Sequence, residues 1–99
     1  MNAEFTKLTR GFHQDMLRNF SSIDEMVSEA LLCIEPEDVA GARAYLDELL
    51  SGRYDAAQLQ DIWRASRADI YFHDDAMLLA VLRRLRAVID THPYLRRSN

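Results

Sequence analysis

Apolar positions recur at steps of three and four along most of the chain. Ile23, Met26, Val27, Ala30, Leu31 and Ile34 form one such stripe and leave Asp24, Glu25 and Glu29 on the other side, the pattern of a helix buried along one face. Ser22 stands three residues before Glu25, the spacing of a capping box, in which hydroxyl and carboxylate satisfy each other's backbone N–H groups. A helix is predicted over residues 22–34. Glu35 and Pro36 then end it and open another, because proline is tolerated in a first helical turn, where its missing N–H has no partner. Val39, Ala42, Leu46, Leu49 and Leu50 are its buried stripe, and Gly52 can take the left-handed conformation that closes it. The short link between the two predicts an antiparallel hairpin.

Asp55 can cap a fourth helix over residues 56–65, with Leu59, Ile62 and Trp63 inward and Trp63 anchoring the core. The helical period is lost over residues 65–69, and Ile70, Tyr71 and Phe72 read as a short extended or turn segment. Asp74 or Asp75 can cap the last helix. There Leu78, Val81, Leu82, Leu85, Val88 and Ile89 keep period, while Met77, Leu79 and Ala80 widen the apolar sector. Its length and apolar content predict the central helix, ending at Thr91, His92 and Pro93. Upstream, residues 3–8 and 12–20 read as two helices split at Gly11, with Phe5, Leu8, Phe12, Met16, Leu17 and Phe20 facing in. Residues 92–99 are expected to form a mobile tail.

Composition narrows the picture. Ninety-nine residues with 48% hydrophobic content make one folding unit, residues 1–99, and three glycines and two prolines are too few for the turns of a sandwich or barrel. The expected fold is all-α, a compact single-domain bundle of about five helices. No apolar run reaches the length of a membrane span and the N-terminus lacks the features of a signal peptide, so a cytoplasmic protein is expected. The single cysteine, Cys33, sits among Leu31, Leu32 and Ile34 and reads as a small buried hydrophobe.

Charge adds a direction. The formal net charge is −4, and residues 19–61 hold ten carboxylates against Arg43 and Arg53, whereas residues 62–99 hold seven arginines against four aspartates. An acidic chain does not suit direct binding of nucleic acid, whose phosphates need a basic face. Ordinary solvated helix surface accounts for charge in many proteins. An imbalance of this size nevertheless suits the meeting of a basic partner, through faster encounter and rejection of wrong partners.

Candidate chemistry is sparse. The pattern Phe12-His13-Gln14-Asp15 has an echo in Phe72-His73-Asp74-Asp75, and histidine with aspartate is a possible ligand set for zinc or manganese. Within a helix, however, residues two apart point about 200° from each other, so His13 and Asp15 would not share one ion. Caps and turns account for Asp15, Asp74 and Asp75 more simply. No glycine-framed serine, Cys–His pairing or phosphate loop is present, so no catalytic residue, metal or cofactor is assigned. Arg83, Arg84 and Arg86 do not share one helix face, which disfavours a DNA-reading helix.

Phe12-His13-Gln14-Asp15 resembles the opening of the immunity proteins of bacterial contact-dependent growth inhibition systems, the CdiI-like family. The capped acidic helix from Ser22, the run Leu46-Asp47-Glu48-Leu49-Leu50-Ser51, Gln58-Leu59 leading to Trp63, and the closing helix from Leu78 to Ile89 follow in the same order. The likeness spans residues 8–90, with Met16 standing where an aromatic residue is expected. It implies a protein that is not an enzyme and that binds the C-terminal toxin domain of a CdiA-type effector, often a nuclease, so protecting the producing cell. No membrane partner is implied, and contact residues do not carry over, because each immunity protein matches its own toxin. The charge pattern places the expected contact at Asp24, Glu25, Glu29, Glu37, Asp38, Asp47 and Glu48, with residues near Tyr71 and Asp74 supplying an aromatic centre. Two other classes compete: a small metal-dependent hydrolase using His13, His73 and nearby aspartates, and a generic helical adaptor.

Overall fold

A computed structural model describes residues 2–13 and 22–91. Four of the five α-helices begin where a short polar side chain takes up backbone N–H groups that the helix itself leaves without partners. The Asn2 side chain accepts from Phe5 N at 2.8 Å and starts α1, Ala3–Thr9. The Ser22 hydroxyl accepts from Glu25 N at 3.2 Å and starts α2, Ile23–Leu31. A 3-10 turn over Pro36–Asp38, closed by a Glu35–Asp38 capping box, leads into α3, Val39–Leu49. Asp55 and Gln58 form a reciprocal box, each bond 2.8 Å, at the head of α4, Ala56–Ala65. Asp74 accepts from both Ala76 N and Met77 N and opens α5, Asp75–Val88, which runs into a 3-10 turn over Ile89–Thr91. Among the described residues no strand forms, and the molecule is an all-α bundle. No described helix is long and apolar enough to cross a membrane.

The central place of the last helix holds. It packs against α2, α3 and α4, and its Leu78, Val81, Leu82 and Leu85 are buried almost completely. The apolar sector is narrower than expected, since Ala80 is exposed, Leu79 is half-buried and Met77 is 43% exposed. The antiparallel hairpin does not form as expected. α2 packs chiefly on α5, whereas α3 packs on α1 and α5. The extended backbone at Glu35 and the 3-10 turn after it re-aim the chain, so each apolar stripe turns to a helix distant in sequence. Gly52 closes α3 with φ 94°, as its position predicts.

An aromatic cluster locks the N-terminal segment to the non-helical stretch before α5. Phe12 and Phe72 each meet the Trp63 ring edge-on, at 5.2 and 5.6 Å between centroids, and meet each other at 6.3 Å. The Trp63 indole N–H donates to Ile70 O at 2.7 Å, and the buried Gln60 amide donates to Phe72 O at 2.7 Å. Asp69 N donates to Phe12 O and Arg67 N to the Thr9 hydroxyl, which fastens this stretch to the end of α1. Trp63 is therefore the anchor that its position implies. Phe12 and His13 are not helical; the remainder of the expected helix over 12–20, with Asp15, Met16, Leu17 and Phe20, lies outside the described residues, as does the tail at 92–99.

Cys33 is exposed rather than buried. α2 ends at Leu31, and the turn that follows carries Leu32, 52% exposed, and Cys33 outward while Ile34 re-enters the core. The thiol still leans on the chain: a side chain added at Gly11 would lie 3.0 Å from its sulfur. Partial desolvation first, and then the nearby Glu29, push the Cys33 thiol above its ordinary pKa, against a smaller opposing pull from Arg10.

Candidate partner-binding surface

The carboxylates that the sequence singles out separate into three groups. Asp38 is buried, ion-paired with Lys7 at 3.2 Å and accepting from Glu35 N at 3.1 Å; it holds the 3-10 turn ahead of α3 and offers no open surface. Asp24, Asp47 and Glu48 are taken by arginines. Arg84 reaches Asp24 on α2 at 2.7 Å, Arg86 reaches Asp47 on α3, and Arg53 reaches Glu48 at 3.0 Å. Glu25 and Glu29 on α2, with Glu37 ahead of α3, are exposed, and among the described residues Glu29 and Glu37 have no ion-pair partner.

These pairings give the surface its layout. Residues 84 and 86 point about 200° apart around a helix, and their partners lie on helices that flank α5 on opposite sides. Two carboxylates of the acidic block, Asp24 on α2 and Asp47 on α3, are thus neutralised by arginines of α5. Asp90, between Arg43 at 2.7 Å and Arg86 at 3.5 Å, ties the end of α5 back to α3. The Arg43 hydrogen bond holds the Asp90 carboxyl below its usual range.

Tyr71 is 48% exposed on the stretch before α5, where alternation sends Ile70 and Phe72 into the core. Asp74, three residues on, is exposed but spends its carboxylate on the α5 cap. His13 and His73 are both exposed. The phenylalanines of the two Phe-His segments are what the fold brings together; among the described residues no group of three histidine, cysteine or carboxylate side chains is placed to hold a metal ion.

A cleft that the sequence analysis did not single out lies on the α3 side of α5. It encloses about 340 Å³ and is walled by Leu49, Leu50, Tyr54, Leu59 and Leu79, with Asp75 and Arg83 also in its lining. The Asp75 carboxylate accepts from Gln60 at 3.0 Å. Arg83, unlike Arg84 and Arg86, has no carboxylate partner among the described residues. The sequence signal was available in part. Leu50 extends an apolar stripe beyond the last helical residue of α3, and Leu79 widens that of α5, so both exceed what a two-helix contact covers. Which gap they would line depends on the α3–α4 loop and was not readable locally. No protein-family model matches this chain, and neither do curated proteins or solved structures.

Proposed function

We propose that this chain is an immunity protein that binds and neutralises the C-terminal toxin domain of a cognate contact-dependent growth inhibition effector. The observation that carries the reading is the exposure of the carboxylates Glu25 and Glu29 on α2 and Glu37 ahead of α3, added to the resemblance of the Phe12-His13-Gln14-Asp15 segment. A nuclease toxin needs a basic groove for its phosphate substrate, and fixed carboxylates on an inhibitor attract that groove over long range. Tyr71 supplies the amphipathic contact that dominates binding energy at many interfaces, while the charges set rate and orientation. In this reading no bond is made or broken; protection is occupancy.

The test is protection. The C-terminal domain of the effector whose gene this reading places directly upstream is induced in cells with and without this chain. Survival only with the chain is the expected result. Equal killing in both, or turnover of a substrate by the purified chain alone, contradicts the proposal.

A further inference from the structure

The apolar cleft beside α5 is chemically distinct from the acidic surface and faces a different requirement. Its walls are leucine and tyrosine, and the two charged groups that line it, Asp75 and Arg83, are of opposite sign. Eight residues separate them along one helix, about 12 Å at the α-helical rise. Arg84 and Arg86 show that a carboxylate of this chain can satisfy an α5 arginine wherever one is near. Arg83 has none among the described residues, and it lines the apolar cleft. A group that fills the cleft therefore has to be apolar in the middle, cationic at one end and anionic at the other.

We infer that the cleft receives a segment of the partner toxin domain, a bulky apolar side chain entering between Leu50, Tyr54 and Leu79. A cation of that segment faces Asp75, and a carboxylate about 12 Å away faces Arg83. The inference rests on the immunity reading for the identity of the partner, and on charge complementarity for the chemistry of the segment. It adds a specificity element. The carboxylates of α2 attract any basic domain, whereas the Arg83 end rejects a segment that presents a cation there, because like charges at a desolvated contact cost affinity. The cleft thus selects one partner among the basic domains that the acidic surface brings near.

Two exposed positions test this with the full chain: Ala76→Trp fills the cleft from its rim, and Arg83→Glu reverses its free charge. Each is titrated against the purified toxin domain from the adjacent effector gene, with Glu29→Lys as the variant that alters only the acidic surface. The expected result is at least about tenfold weaker binding for both cleft variants, carried by faster dissociation, while Glu29→Lys slows association. Wild-type affinity in both cleft variants, with slowed association in Glu29→Lys, overturns the cleft and leaves the immunity reading standing. No binding by the unaltered chain overturns both. A dimer of this chain that Ala76→Trp converts to monomer assigns the cleft to a second copy and also overturns the proposal. Should Ala76→Trp fail to fold, Arg83→Glu carries the test, because that side chain is exposed and makes no ion pair among the described residues.

Discussion

Gly11 has no side chain because Ala30 occupies the space where one would go. A Cβ there would come within 2.7 Å of Ala30 Cα and 3.0 Å of the Cys33 sulfur, and neither backbone nor the end of α2 can withdraw cheaply. Gly11→Ala is therefore expected to destabilise the fold by about 1–3 kcal/mol, the usual cost of overpacking; a chemical-denaturation midpoint equal to wild type would contradict this contact. That the first helix stops before Gly11 was legible, but the close approach of Gly11 to α2 was not, since it depends on a residue nineteen positions away. Cys33 shows the same limit from the other side. Leucine neighbours argue for burial, yet where a helix stops decides which of them turn inward, and α2 stops two residues before the thiol.

At the scale of elements, what was legible is what is local. Caps at Ser22, Asp55 and Asp74 and the closure at Gly52 follow from residue type and spacing alone, and all are found where expected. That α2 and α3 would pack elsewhere rather than on each other was not legible, because proximity in sequence competes with the apolar face that α5 offers both. Asp74 allows its structural and contact roles to be separated. Asparagine caps a helix about as well as aspartate, so Asp74→Ala should lose about 1 kcal/mol of stability while Asp74→Asn loses little, as read by thermal unfolding; equal losses would show that the charge, not the cap, is what matters. Asp90 gives a pH signature. Its carboxyl is held below the ordinary 3.8 by Arg43, so the ionised form stabilises the folded state above that value, and the contribution is lost as the pH falls through the lower folded-state pKa. Wild type should be more stable than Asp90→Asn near pH 6, and the difference should close as the pH drops from about 5 to about 2. A difference that persists at the acid end would contradict the Arg43–Asp90 tie.

Across the whole molecule, the excess of carboxylates in residues 19–61 was visible in the sequence, but not how it would be spent. Asp38 is buried, and Asp24, Asp47 and Glu48 are matched to arginines from elsewhere in the chain. Of the carboxylates that the charge pattern singles out, Glu29 on α2 and Glu37 ahead of α3 are exposed and make no ion pair among the described residues, and Glu25 is exposed one turn before Glu29. This smaller surface makes the electrostatic claim specific to named side chains, and it removes the buried Asp38 from any variant meant to leave the fold intact. The central claim is that the molecule works by occupying a basic protein domain. Its most direct measurement is the association rate of the full chain with the upstream effector's C-terminal domain, followed from about 0.01 M to about 0.15 M salt. The account predicts a rate that falls several-fold over that range, and a Glu29→Lys/Glu37→Lys variant whose rate is lower at low salt and nearly flat. A wild-type rate indifferent to salt and unchanged in the variant, or no association at all, would contradict it.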